Sequence, residues 1–538
     1  YEILRCLVGS EMCIRDRGII ELKLIKILSD KVQIRTDQQE FSNVRINDLI
    51  SITDGTAELV TMVTAVTDND AEAGISDDDF ILGGASIKVV ECSIIGSVHN
   101  GRFSKALDQY PTTDITAREI DGEEFSKMIS RPDSGFCIGK YAVYHCPAWV
   151  DGNRFFQRHS CIVGNTGSGK SETVTKILEE TSKLPGANII MFDIHGEYGE
   201  LSYARNISFS SAMPFPIWMF GFSDMVSNIL KIKEESATVA MAALRKCYKQ
   251  ICPDGNEGKP VYFSYKKLID YLKGLNEEQV ETGEFYKTGA NAGLPKKVKG
   301  EYNGRLHSII STLESKENDA RLAFLFRDAD QSYLAELLVQ ILGNDKPVKN
   351  IDLSNMPHDV AIAVIGAVTK LIYGVQQTFR GGEITPVTLV CDEAHVYIPN
   401  NFQLSASERR MVEIFENIAK EGRKFGMTLF VASQRPSELN KTIMAQCANF
   451  IVSKLNNETD KSMVKGMLPD GNEDIIDSTT TFSPGEVLVI GDAVPIPLKI
   501  KVELAKERPQ SRTINFWDVW KEGSKTDLAH GIDRYMNS

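Results

Sequence analysis

Eight consecutive residues, Gly164-Asn165-Thr166-Gly167-Ser168-Gly169-Lys170-Ser171, fill every fixed position of the pattern G-x-x-x-x-G-K-[ST]. Each fixed position has a physical role. The glycines let the backbone curl so that its N–H groups point inward around phosphate oxygens. Lys170 has the reach to neutralise the β- and γ-phosphates, and the Ser171 hydroxyl suits a Mg2+ ion. Glu172 follows directly, so the candidate nucleotide-binding residues run without a break from Gly164 to Glu172. The spacing predicts a site for a nucleoside triphosphate such as ATP.

A second constellation is Val387-Thr388-Leu389-Val390-Cys391-Asp392-Glu393, an apolar run that ends in two acids. A strand of this kind delivers its carboxylates to the sheet edge where a phosphate loop sits. Asp392 then suits the Mg2+ shell, and Glu393 suits the orientation or deprotonation of an attacking water. Paired acids after a strand also serve as helix caps, and the phosphate loop favours the catalytic reading. The run 428–433 ends similarly in Gln434, whose amide could bond the γ-phosphate or the water. Phosphoryl transfer also needs positive charge at the γ-phosphate, often an arginine from a neighbouring subunit. Arg158, just before the phosphate loop, and Arg423, in Glu421-Gly422-Arg423-Lys424, are the two candidates.

These groups need elements to hold them. Residues 160–163 read as a buried strand entering the loop, and 172–183 as the helix leaving it, whose N-terminal dipole faces the anion. From about 153 onward strands and helices alternate, the signature of a mostly parallel sheet covered on both faces. Strands are expected at 187–193, 349–353, 386–392, 427–433 and 485–491, and helices at 359–379 and 407–424. Residues 221–345 read as a mainly helical insertion, with loops at 252–259 and 283–300. Before this core, residues 18–152 carry several short strand-like runs, which suggest a small β-barrel with a docking or assembly role. Residues 1–17 begin without methionine, show no clear periodicity and read as a non-native or disordered leader. Residues 506–538 form a tail. Its aromatics Phe516, Trp517 and Trp520 either latch onto an adjacent subunit or, as the favoured reading, pack on their own domain.

The chain has 538 residues, 42% of them hydrophobic and 25% charged, as in ordinary globular proteins. No run of 18 apolar residues occurs, and 361–375 reads as a core helix, so no membrane association is expected and the cytoplasm is the default. Ten cysteines lie scattered without a C-x-x-C pair, which argues for reduced thiols rather than zinc. A net charge of −13 argues mildly against nucleic-acid binding over the whole surface, yet leaves room for a basic patch. Lys287, Lys296, Lys297, Lys299 and Arg305 gather in one such stretch.

Taken together the motifs resemble the HerA family of hexameric DNA-translocating ATPases, in the HerA–FtsK branch of P-loop proteins. The resemblance rests on Arg158-His159 before the phosphate loop, then Asp193-Ile194-His195-Gly196-Glu197-Tyr198 and Ile351-Asp352-Leu353-Ser354. Further along come Cys391-Asp392-Glu393-Ala394-His395, Glu421-Gly422-Arg423-Lys424 and Ser433-Gln434-Arg435-Pro436. It covers about 18–503 and implies a RecA-like core in a homo-hexamer around double-stranded DNA. ATP would then sit between subunits. By that resemblance Lys170, Ser171, Asp392, Glu393 and Gln434 act in cis, and Arg158 or Arg423 acts in trans. Asp193 and Glu197 would lie near the nucleotide. Relatives of this kind work with a separate nuclease or NAD-degrading effector, in DNA-end processing or anti-phage defence. A ring that only scaffolds and activates such an effector is the rival reading. A membrane-associated DNA pump is a third, disfavoured by the lack of a spanning segment.

Overall fold

A computed structural model describes residues 23–28, 30–36, 44–68, 88–99, 102–107, 109–111, 115–129, 131–232, 238–255, 259–288, 293–400, 404–468, 473–510, 516–522 and 528–537. The expected leader, 1–17, lies outside them.

The N-terminal module is β-rich, as its short alternating runs predict. Its strands are β1 (Lys23–Ile27), β2 (Lys31–Thr36), β3 (Leu49–Thr53), β4 (Glu58–Asp68), β5 (Lys88–His99), β6 (Arg102–Ser104) and β7 (Thr116–Glu119). They pair antiparallel in the order β1-β2-β5-β4-β3-β7, with β6 on β5. Strands β1 and β7 end this path, and no pairing among the described residues joins them. Its alternation is functional in packing terms. Ile50, Ile52, Leu59 and Val63 build a small separate core, while Leu49, Val60 and Met62 face the main one.

The main sheet has eleven strands. These are β8 (Gly135–Tyr141), β9 (Pro147–Asp151), β10 (His159–Val163), β11 (Ile189–Asp193), β12 (Ala204–Ser208), β15 (Val348–Asp352), β16 (Val387–Cys391), β17 (Met427–Ser433), β18 (Cys447–Val452), β19 (Glu486–Gly491) and β20 (Lys499–Val502). Their order is β12-β15-β11-β16-β17-β10-β18-β19-β20-β8-β9. The seven from β12 to β18 run parallel, and the remaining four attach antiparallel. Every residue of β10, β11, β16 and β17 is buried, which is why these strands read as mainly apolar runs. Residues 135–151, grouped by sequence with the N-terminal module, belong to this sheet: β8 pairs with β20. The change of sheet therefore falls before Gly135 rather than at 152.

Between β12 and β15 comes the insertion, with helices Thr238–Ile251, Tyr265–Glu277, His307–Glu317 and Gln331–Leu342. Within it β13 (Gln279–Phe285) and β14 (Pro295–Lys299) form a hairpin where a loop was expected. The helix His358–Gln376 is, among the described residues, long and apolar enough to span a membrane, but it is mostly buried inside the protein. The helix Ala406–Glu421 starts with a capping box, in which Ser405 and Glu408 satisfy each other's backbone N–H groups. At the far end Phe516, Trp517 and Trp520 are exposed by 61–70%, so they do not pack on the rest of the described chain as favoured from sequence.

Candidate active site

Parallel strands put their C-terminal ends on one sheet edge, and here that edge collects the chemistry. The phosphate loop follows β10, Asp392 and Glu393 follow β16, Gln434 follows β17, and Asp193 ends β11. Because β17 lies between β10 and β16, Gln434 emerges between the loop and the acids.

The loop runs into the helix Lys170–Ser182. Gly167 and Gly169 have φ of 74° and 95°, a backbone region that excludes most side chains. A Cβ at Gly169 would also stand 2.9 Å from the Gly485 nitrogen, which donates to Ser168 O at 3.0 Å. Start of β19 and loop are thus locked together. Lys170 is buried and donates to Gly164 O at 2.7 Å and Asn165 O at 3.3 Å, bridging the loop's entrance. Burial holds its ammonium below the usual lysine range, against the pull of Glu393, Asp392 and Glu197.

Gln434 links the two halves of the site. Its Oε1 accepts from the Thr166 hydroxyl and its Nε2 donates to Glu393 Oε1. Glu393 is itself left-handed (φ 45°), which turns the following Ala394–Val396 back toward the sheet. His395 is brought within 3.3 Å of Glu393 Oε2 and of Ser433 Oγ. Burial lowers the His395 pKa, and the Glu393 carboxylate opposes that shift. Sequence reasoning assigned the roles of Glu393 and Gln434 but missed their mutual bond and the His395 contact. The short spacing Glu393-Ala394-His395 was the available signal.

Asp193 and Glu197 have different tasks. Asp193 Oδ1 accepts from the N–H groups of Gly196 and Glu197, and Oδ2 from Tyr198 N, so it builds the turn. That turn aims Glu197 at Ser171, whose hydrogen bond works against the rise of the Glu197 pKa caused by burial. Asp392 is raised well above the usual carboxylate range, by burial first and then by Glu393, Glu197 and Asp193. Several negative groups thus converge with Lys170 as the cation buried among them. Glu197 Oε2, Glu393 Oε2 and Ser168 Oγ are buried without hydrogen bonds. Such an excess of acceptors suits a divalent cation. No group of three or more histidine, cysteine or acidic side chains forms a ligand cage among the described residues.

Glu172 points elsewhere. Its Oε1 accepts from Arg508 Nε and Nη2 at 2.9 and 2.6 Å, so it anchors a C-terminal strap rather than lining the loop. The same strap donates from Gln510 N to Glu197 O at 2.7 Å.

Arg158 and Arg423 precede β10 and β17, on the opposite sheet edge from the phosphate loop. Five strand residues separate Arg158 from that loop, about 16 Å of β-structure. Arg158 lies 3.5 Å from Asp492, while exposed Arg423 makes no ion pair among the described residues. Neither arginine reaches its own chain's loop.

The chain is similar to several known proteins. A family model described as "Helicase HerA, central domain" matches residues 136–372. A probable helicase of Methanocaldococcus jannaschii is 26% identical over 375 residues, covering 69% of this chain and 67% of that one. The DNA double-strand break repair helicase HerA of Saccharolobus solfataricus is 25% identical over 431 residues, covering 78% and 79%. Among solved structures, VirB4 of Thermoanaerobacter pseudethanolicus superposes with a TM-score of 0.49 at 16% identity, over 70% of this chain and 98% of that one.

Proposed function

Because this chain belongs to the HerA family of P-loop ATPases and is an ATP hydrolase, we propose that it is a motor moving double-stranded DNA through a homo-hexameric ring. One observation carries the ring: both arginines that could serve the γ-phosphate sit on the sheet edge away from their own phosphate loop. Head-to-tail contacts that close on themselves bring that edge to a neighbour's loop. Arg423 or Arg158 then acts in trans. In this reading residues 164–171 hold the phosphates, and Ser171 and Asp392 hold Mg2+, which stabilises charge on the phosphates when bound. Glu393 orients and deprotonates water, and Gln434 passes the state of the site between Thr166 and Glu393.

The N-terminal sheet, read as part of a small barrel, and the exposed aromatic tail fit assembly roles, the tail as a latch on an adjacent subunit. The motor works in the cytoplasm with a separate nuclease or NAD-degrading effector, in DNA-end processing or anti-phage defence. A triplex-displacement assay on duplex DNA tests the motor directly. ATP-dependent displacement is expected from the purified protein and none from Lys170→Ala. A ring that hydrolyses ATP and activates its effector, yet displaces nothing, belongs to the scaffold reading instead.

A further inference from the structure

The β13–β14 hairpin stands apart from both cores. All seven residues of β13 are exposed, and so are Lys297, Val298 and Lys299 of β14. Two-stranded hairpins with both faces in water are marginally stable, so such an element acquires its covering from outside. Its side chains are unusual for a solvated ribbon. Phe285, Tyr286 and Leu294 at its outer end are 59%, 39% and 55% exposed.

The register sorts these groups by face. Glu281 pairs with Lys297 and Gln279 with Lys299, and residues directly opposite share a face. An irregularity between Glu281 and Phe285 sets Phe285 opposite Pro295, which lies on the same face as Lys297 and Lys299. One face therefore carries an aromatic ring and two lysines about 7 Å apart, with Gln279 and Glu281 opposite the lysines. Charge follows the same pattern. Between 279 and 299 four lysines meet two glutamates, in a chain whose net charge is −13. The glutamates are engaged by Lys296 (3.1 Å) and Lys297 (3.8 Å), while Lys287 and Lys299 make no ion pair among the described residues.

Resting on the motor reading above, we propose that this hairpin binds unpaired DNA, with Phe285 stacking on a base beside Lys297 and Lys299 on phosphates along one face, and Tyr286 and Lys287 engaging the strand at the outer end. Exposed rings beside cations are what single strands require, since every base has a face to stack. Duplex DNA hides those faces and would leave the rings unused. A motor that meets a frayed or resected end gains a grip there that its duplex channel lacks.

Fluorescence anisotropy with oligo-dT and with a blunt duplex of equal length tests the assignment. The double variant Phe285→Ser/Tyr286→Ser should weaken oligo-dT binding about tenfold or more, with duplex binding changed less than twofold. Lys297→Ala/Lys299→Ala should weaken oligo-dT binding and flatten its salt dependence. Unchanged melting temperatures show that both variants fold. If oligo-dT and duplex binding fall together, the hairpin is a general basic surface and the inference is overturned. If neither falls, it docks something other than nucleic acid, and the inference is again overturned. Failure of the motor reading looks different: the unmodified protein would then show no ATP-dependent triplex displacement at all.

Discussion

Glu393 occupies the left-handed region of backbone space, which costs a residue with a Cβ on the order of 1–3 kcal/mol. The geometry that results is specific: one carboxylate oxygen is bonded by Gln434 and the other stands beside His395. Glu393→Gln keeps the size of the side chain and removes the proposed base. ATP binding should persist while turnover falls about 10²- to 10⁴-fold, the range for loss of a positioned proton acceptor. Equilibrium binding and steady-state hydrolysis measured on one preparation separate the two effects. Equal turnover in variant and unmodified protein would remove Glu393 from the chemistry. Lys170→Ala differs, because it removes charge from the phosphates themselves and should abolish binding and turnover together.

At the scale of elements, the strands that carry the site were plain in the sequence, and their attachments were not. Strands β10, β16 and β17 are buried on both faces, so apolar content alone marks them. Strands β8 and β9 follow the short strands of the N-terminal module directly, and a strand's own residues do not say which sheet it joins. The hairpin was hidden because β13 is exposed along its whole length, so its few β-branched and aromatic residues follow no buried-face alternation. His159 shows a further kind of hidden constraint. Its Nδ1 accepts from Leu429 N at 3.0 Å and its Nε2 bonds Ala419 O at 2.9 Å, tying β10 to β17 and to the helix Ala406–Glu421. Burial pushes its pKa down to about 4. The unfolded chain takes up this proton near pH 6.5 and the folded one does not, so stability is lost as pH falls from about 6.5 toward 4. At pH 5 this amounts to about 2 kcal/mol. Urea titrations of the protein and of His159→Gln should show their stability difference shrinking by about that amount between pH 7 and pH 5. A constant difference would mean that His159 is not held neutral.

For the whole molecule, the decisive question is where one chain's active site ends. Phosphate loop and acids lie on one sheet edge, Arg158 and Arg423 on the other, with the length of a strand between them. In the proposed ring, one of these arginines would therefore bring its positive charge to a neighbour's phosphate loop. Mixing two inactive proteins turns this into a measurement. Lys170→Ala protomers lack a working loop but keep their arginines, and Arg423→Ala protomers have the converse defect. In a ring assembled from equal amounts, about a quarter of the junctions pair an intact loop with an intact arginine. ATPase activity should then reappear on mixing, in proportion to that fraction, although each protein alone is inactive. The same experiment with Arg158→Ala shows which arginine crosses the junction, because only the residue that acts in trans yields both an inactive variant and rescue. Absence of recovery with either variant, in rings shown by light scattering to contain both proteins, would place the whole site within one chain and remove the reason for the ring.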